Sequence, residues 1–163
     1  VLQKTCERNG VHISIDQLEP RFRQLCHQYF EAELQPVKGI EALIKALNQQ
    51  RIDVCVASNG PVEKMEHALS LTKLLPYFQH RLFSAFETNS WKPAPDILHY
   101  AAMNMACPLE QCIFVDDTNK GIQAGINAHM RTVHFNANPN VPTTDHPLVT
   151  RAFSIEDLFA LFF

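Results

Sequence analysis

The sequence predicts an α/β fold in which a parallel β-sheet is covered by helices on both faces. After Gly39, short apolar segments alternate with helical patterns, which is the arrangement of β–α–β units. The segments 52–57 and 112–115 are almost continuously apolar, as expected for strands that are buried on both faces. A helical region is expected before this sheet, because the apolar residues of 1–34 recur every three to four positions.

Size and charge favour a small-molecule partner. The 163-residue chain suits one compact domain with a small addition. Its formal net charge is −3, from 14 basic and 17 acidic residues, and it has no basic stripe. These features disfavour nucleic acid and membranes as partners, and no apolar run approaches the roughly 18 residues that span a bilayer. Five cysteines without a CxxC pair indicate reduced thiols and a cytoplasmic location.

The helical region and the sheet are expected to form two parts of the chain. A short helix is followed by a longer one that begins after Ser14 or Asp16, and both residue types cap helices well. The pattern breaks around Pro36, where proline and glycine interrupt the helical spacing. We therefore expect a boundary there, with one part at 1–35 and the other at 36–163.

The elements after this boundary are predicted from apolar spacing and from their end signals. Pro61 and Pro95 are well placed to open helices, and Ser154 with Asp157 forms the signature of a capping box. In order, we predict a helix over 40–47, a strand over 52–57, a helix from 61, a strand over 82–85, a helix from 95, a strand over 112–115, a helix over 120–129, a strand over 132–135, a loop over 136–147 and a final helix after 154.

Polar residues directly follow the first predicted strand. In an open α/β sheet, ligands bind beyond the carboxyl ends of the strands. Ser58, Asn59 and Gly60 occupy that position and precede a helix start. A hydroxyl, an amide and free N–H groups at a helix N-terminus suit a phosphate. The alternative is a plain helix cap, in which Ser58 or Asn59 satisfies the first-turn donors.

A lysine and an acidic pair occupy the later loops. Lys92 is either a solvated loop residue or an ammonium that neutralises phosphoryl charge. Asp116 and Asp117 end the strand at 112–115, and adjacent carboxylates repel each other unless a cation or good donors are present. Mg²⁺ takes such oxygen ligands. The alternative is an ordinary turn, in which aspartate is common.

The three segments together resemble a known family. The segments VASNG, WKPAPD and FVDDTNKGIQAGINAHM are similar to the second, third and fourth motifs of haloacid dehalogenase-like hydrolases. The similarity is greatest to the bacterial sugar-phosphate phosphatase branch, near β-phosphoglucomutase and 6-phosphogluconate phosphatase. It implies a Rossmann-like core over 36–163 and a remnant of a helical cap over 1–35. It also implies that Ser58 and Asn59 bind the phosphoryl group, that Lys92 neutralises it and orients the nucleophile, and that Asp116 and Asp117 hold Mg²⁺.

The sequence departs from the family pattern at the nucleophile. Family members attack phosphorus with the first aspartate of a DxD motif at the end of the first strand, and no two aspartates here have that spacing. Asp16 opens a predicted helix and Asp53 lies inside a predicted strand, so neither is a suitable nucleophile. The resemblance implies that this central strand, between those ending at Ser58 and Asp116, is missing. We therefore expect these 163 residues to be a part of a longer phosphatase and to be inactive by themselves. If the chain were complete, the gap between the strands ending at Ser58 and Asp116 would have to be closed by direct strand pairing, a swapped strand or a homodimer.

Two classes of function follow. The first is a Mg²⁺-dependent phosphatase that hydrolyses a small phosphorylated metabolite, such as a sugar phosphate, through an aspartyl-phosphate intermediate. The second is a non-catalytic binding or interaction protein derived from the same fold. The histidines have no HxxxH or HExxH spacing, which disfavours zinc. A response-regulator receiver is disfavoured as well, because in that family the acidic pair comes before the lysine in sequence, whereas here Lys92 comes before Asp116 and Asp117.

Overall fold

The structure is a computed structural model that describes residues 2–11 and 14–163. The chain divides into two compact units, Val1–Gln35 and Pro36–Phe163. The first unit contains α1 (Leu2–Arg8) and α2 (Ile15–Glu33). Ser14 directly precedes α2, although its side chain makes no capping hydrogen bond. The apolar face predicted for α2 is incompletely covered, because Phe22 and Tyr29 are exposed.

The second unit follows the predicted alternation of helices and strands. Its elements are α3 (Ile40–Gln49), β1 (Val56–Ser58), α4 (Val62–Leu71), β2 (Leu82–Ser84), α5 (Ala85–Thr88), α6 (Asp96–Asn104), β3 (Ile113–Asp116), α7 (Asn119–Asn127), β4 (Arg131–Phe135), β5 (Val149–Ala152) and α8 (Ile155–Phe162). The capping box at α8 is confirmed, because the Ser154 and Asp157 side chains each accept a backbone N–H of the other residue.

The structure differs from the sequence expectations in three places. The strand predicted over 52–57 is confined to Val56–Ser58, so Asp53 lies outside it and pairs with Arg81 at 2.9 Å. The polar segment after β2 forms the short helix α5, started by a capping box of Ser84 and Glu87. Strand β5 was not predicted, because its four residues, Val149 to Ala152, place two polar side chains between two apolar ones and so show no alternation.

The strands form two parallel sheets, which confirms the predicted parallel α/β architecture. One sheet has the order β1–β2 and the other β3–β4–β5. In the described part of the chain, β1 and β3 each keep one edge without a strand partner. Burial reflects this arrangement: the middle residues of β4 are buried, whereas β1 is half-buried and Val115 of β3 is 37% exposed.

Helices cover both faces of the strands. One core cluster joins α6 and α7 to the strands through residues such as Ile97 and Ala124. The other joins α3 and α8 to β4 and β5 through residues such as Leu43, Val133 and Leu158. Full burial of an isoleucine such as Ile97 contributes about 1.5–3 kcal/mol. These clusters hold the strands so that their carboxyl ends share one edge.

Two other features bear on the sequence expectations. All five cysteines are free thiols. Within residues 2–11 and 14–163, no helix has the length and apolar character needed to cross a membrane.

Candidate active site

The structure brings Lys92 together with the acidic turn after β3. The Lys92 Nζ atom lies 2.7 Å from Asp116 Oδ2 and donates to the Ala57 carbonyl at 3.3 Å. The two charged side chains are only 12% and 10% exposed. The Lys92 ammonium also lies 5.2 Å from the centre of the Phe114 ring, a distance at which a cation is attracted to the ring face. Lys92 therefore joins the carboxyl ends of β1 and β3 and is not a solvated loop residue.

The Lys92 loop is held from both sides. The Asn59 amide accepts the Lys92 backbone N–H at 2.8 Å and donates to the Lys92 carbonyl at 3.3 Å. Asn127 of α7 donates to the carbonyl of Pro93 at 2.9 Å. Trp91, by contrast, is 42% exposed and packs edge-on against Phe86. The loop is thus fixed by two amide side chains rather than by the neighbouring tryptophan.

The turn after β1 is braced through its serine and glycine. The Ser58 Oγ atom accepts the Gly60 backbone N–H at 3.1 Å. The buried Ser84 hydroxyl donates to the Gly60 carbonyl at 2.8 Å. Because a serine hydroxyl has one proton as well as lone pairs, Ser58 can still donate to a ligand. The turn therefore offers a hydrogen-bond donor at the carboxyl end of β1.

The acidic turn after β3 is shaped around the Asp116 carboxylate. Asp116 Oδ1 accepts the backbone N–H and the hydroxyl of Thr118 at 2.8 and 2.7 Å. Thr118 in turn caps α7 by accepting the Gly121 N–H at 3.0 Å. A Cβ atom on Gly121 would lie 2.0 Å from Asp116 Cγ, so only glycine lets the helix approach this closely. The exposed Asp117 carboxylate has no hydrogen-bond or ion-pair partner in the described part of the chain.

Two of the five residues predicted for the site are the last residues of strands β1 and β3, and the other three lie in the loops that follow. The five residues are Ser58, Asn59, Lys92, Asp116 and Asp117. Sequence reasoning missed two residues that shape this site, Thr118 and Ser84. Both left a signal, because threonine is a favoured N-cap residue and the spacing of Ser84 and Glu87 is that of a capping box.

The amino-acid sequence matches a known family. The family model of haloacid dehalogenase-like hydrolases matches residues 4–129. A 6-phosphogluconate phosphatase of Escherichia coli is 37% identical over 142 residues, which cover 87% of this chain and 63% of that protein. The chain therefore belongs to the haloacid dehalogenase-like hydrolases, and it spans less than two thirds of the length of this relative.

Solved structures share the fold. CbbY from Rhodobacter sphaeroides, in complex with phosphate, matches with a TM-score of 0.77 and 17% identity, over 90% of this chain and 66% of that one. The Bacillus subtilis protein YfnB, solved bound to magnesium, matches with a TM-score of 0.74 and 21% identity, over 95% of this chain and 66% of that one. At these identities the likeness shows the fold.

Proposed function

We propose that the chain carries the phosphoryl-binding and metal-binding part of a Mg²⁺-dependent phosphatase. The observation that carries this proposal is the junction of Lys92 with Asp116 and the Ala57 carbonyl at the carboxyl ends of β1 and β3. Ser58, the residue after Ala57, provides a hydroxyl donor at the end of the same strand. A positioned ammonium with hydrogen-bond donors is the arrangement that stabilises a transferring phosphoryl group.

The donor set fits a divalent cation. One ammonium and two carboxylates, from Lys92, Asp116 and Asp117, leave the site with a net negative charge. A phosphate dianion would be repelled by this charge unless a cation neutralised it. The Asp116 carboxylate is packed against Gly121 and accepts a hydrogen bond from Thr118, so its position is fixed. Carboxylate oxygens are ligands that Mg²⁺ prefers. The magnesium in YfnB is consistent with this assignment.

Each residue then has a defined role. Bound Mg²⁺ would supply Lewis-acid stabilisation of charge on the phosphoryl oxygens. Lys92 neutralises phosphoryl charge, and Ser58 donates a hydrogen bond to a phosphoryl oxygen. Asn59 acts through the backbone of Lys92, because its amide is engaged there on both sides. Asp116 accepts a hydrogen bond from the Lys92 ammonium at 2.7 Å and so holds it at the carboxyl end of β3.

The covalent step would use a carboxylate nucleophile from a further strand. In the described chain β1 and β3 each have an edge without a strand partner, and Lys92 bonds the end of both, so this proposal places the further strand between them. An aspartate at the end of that strand would attack phosphorus and break the bond to the substrate oxygen, which leaves with a proton as the alcohol; water would then hydrolyse the aspartyl phosphate to inorganic phosphate and the free carboxylate. The described chain would be inactive without this strand. In this proposal the unit Val1–Gln35 is part of the helical cap.

For substrate, we propose a small phosphorylated metabolite, with 6-phosphogluconate as the first to test because of the name of the E. coli relative. The test is turnover of p-nitrophenyl phosphate and 6-phosphogluconate by the full-length gene product, with Mg²⁺ and with EDTA. We expect Mg²⁺-dependent hydrolysis by the full-length protein and none by the 163-residue chain. A full-length protein that binds Mg²⁺ but hydrolyses neither compound would instead support a non-catalytic binding protein.

A further inference from the structure

Two of the five free cysteines lie on either side of a short turn at the amino end of β3. Cys107 is followed by Pro108 and by a single helical turn, Leu109–Gln111. Cys112 comes directly after that turn and directly before β3. The Gln111 backbone N–H donates to the Pro108 carbonyl at 3.0 Å, which closes the turn. The backbone itself therefore brings the two cysteines towards each other.

Both thiols contact the same carbonyl oxygen. The Cys112 Sγ atom lies 3.3 Å from the Pro108 oxygen, and the Cys107 Sγ atom lies 3.7 Å from it. Cys112 Sγ also lies 4.0 Å from the carbonyl oxygen of Cys107. A thiol is a weak hydrogen-bond donor, so these contacts leave both side chains able to change rotamer. The two sulfur atoms are thus neighbours across one oxygen atom.

The pair of thiols is open to solvent on one side and packed on the other. Both cysteines are half-buried. Pro108, Glu110 and Gln111, which lie between them in sequence, are exposed. On the inner side, Cys112 packs against the core cluster that joins α6 and α7 to the strands. A small reagent can therefore reach the pair, while the core limits how far Cys112 moves away from Cys107.

We propose that Cys107 and Cys112 form a dithiol site that a small organic disulfide, such as oxidised glutathione, converts reversibly to an intramolecular disulfide bond. The bond requires a sulfur–sulfur distance of about 2.0 Å, which rotation of the two side chains and a small movement of the exposed turn provide. The inference is independent of the proposed function. The pair lies at the amino end of β3, whereas Asp116 lies at its carboxyl end.

The exchange has two steps. The Cys107 thiol loses its proton, and the thiolate attacks one sulfur atom of oxidised glutathione, which breaks the sulfur–sulfur bond and releases one glutathione that takes up a proton. The Cys112 thiol then loses its proton and attacks the Cys107 sulfur of the mixed disulfide, which releases the second glutathione. Two protein thiols are oxidised, and one glutathione disulfide is reduced to two thiols. Burial raises the pKa of the Cys112 thiol, so Cys112 is the slower thiol in the first step.

The test measures the equilibrium between the dithiol and the disulfide. The reduced 163-residue chain is incubated without oxygen at fixed ratios of reduced to oxidised glutathione, and the remaining thiols are then blocked with N-ethylmaleimide. A single tryptic peptide, 82–120, contains both Cys107 and Cys112 and no other cysteine. Mass spectrometry of this peptide distinguishes the blocked dithiol, the mixed disulfide with glutathione and the ring-closed disulfide. The same measurement in urea gives the value for the unfolded chain.

We expect the effective concentration of the two thiols in the native chain to exceed that in urea by at least about 10-fold, because the fold holds both at one oxygen atom. This comparison uses the wild-type chain and depends on no variant.

Two variants separate the steps. Cys112→Ser should accumulate the mixed disulfide at Cys107, because the second step has lost its thiol. Cys55→Ser is the control and should leave the equilibrium unchanged, because the proposed bond does not use that sulfur atom. A native effective concentration no higher than that in urea, a wild-type mixed disulfide that does not close, or a disulfide from Cys55 to either residue would overturn the proposal.

Discussion

The ammonium of Lys92 and the carboxylate of Asp116 are 2.7 Å apart, although 23 residues separate them in sequence and both side chains are nearly buried. The loop between α5 and α6 supplies the first, and the end of β3 supplies the second. A buried ion pair is costly to desolvate, and removing one partner leaves the other charge uncompensated. The pair therefore stabilises the fold only as a unit, and it places opposite charges at the carboxyl ends of the strands.

Replacing Lys92 should destabilise the second unit. Lys92→Ala leaves the Asp116 carboxylate without its cation, which should lower the free energy of unfolding by about 3 kcal/mol. Urea denaturation followed by circular dichroism measures this change. Lys45→Ala is the control, because Lys45 pairs with Glu41 at 2.8 Å on the surface and exposed pairs contribute little. Similar losses in the two variants would contradict the structural role given to Lys92.

Gly121 should be required for the metal site, beyond any effect on stability. Gly121→Ala places a Cβ atom 2.0 Å from Asp116 Cγ and must displace that carboxylate. Gly125→Ala, one turn later on α7, places a Cβ atom 2.0 Å from Thr132 Oγ1 instead. We expect both variants to unfold at lower temperature, and only Gly121→Ala to weaken Mg²⁺ binding by about 10-fold. Isothermal titration calorimetry measures the Mg²⁺ affinity of both variants. Equal affinities would contradict the requirement for close packing of Asp116 against Gly121.

The two aspartates should differ as metal ligands. Asp116 is held by Thr118 and Gly121, whereas Asp117 is exposed. A ligand that is already fixed loses less conformational freedom when it binds a metal. We therefore expect Asp116→Asn to raise the Mg²⁺ concentration needed for half-maximal activity of the full-length protein by more than 10-fold, and Asp117→Asn by less. The reverse order in the Mg²⁺ titration would assign direct coordination to Asp117.

Cys112 should react slowly with alkylating reagents below pH 10. Burial, followed by a hydrogen bond to Cys107, raises the pKa of the Cys112 thiol from 9.0 to about 11. The thiolate is the reactive form, so at pH 8 the native thiol should react about 100-fold more slowly than in urea. Its rate should rise about tenfold per pH unit up to pH 10. Peptide mapping after timed iodoacetamide treatment measures both quantities.

The same shift has a consequence for stability. The folded state holds the Cys112 proton more tightly than the unfolded state, so its contribution to stability is complete below pH 9. That contribution is lost as the pH rises from about 9 to about 11. An iodoacetamide alkylation rate of Cys112 that is equal in the native chain and in urea would contradict the raised pKa from which both predictions follow.

Much of the fold and the site composition could be predicted because their signals are local. The apolar residues of β3 are followed directly by Asp116, which marks the end of the strand. The capping box at Ser154 is encoded by four consecutive residues. The order of Ser58, Lys92 and Asp116 along the chain then limits which fold can bring them together.

The remaining features depend on contacts between distant residues. Nothing near Asn59 in sequence indicates that its amide binds the backbone of Lys92 rather than facing a ligand. The alignment of Asp116, His134 and Arg151 across β3, β4 and β5 depends on strand register, and β5 was not recognisable from its four residues. The two separate sheets likewise follow from pairing between strands and not from any single segment.

The affinity of the 163-residue chain for inorganic phosphate, measured by ³¹P NMR with and without Mg²⁺, tests directly whether Ser58, Lys92 and the two aspartates form a metal-dependent phosphoryl site. We expect Mg²⁺ to strengthen phosphate binding by at least about 10-fold, because the site is otherwise net negative. Ser58→Ala and Lys92→Ala should each reduce the Mg²⁺-dependent binding by about 10-fold or more. Phosphate binding that does not change with Mg²⁺ and is the same in Lys92→Ala would contradict a Mg²⁺-dependent phosphoryl site at these residues.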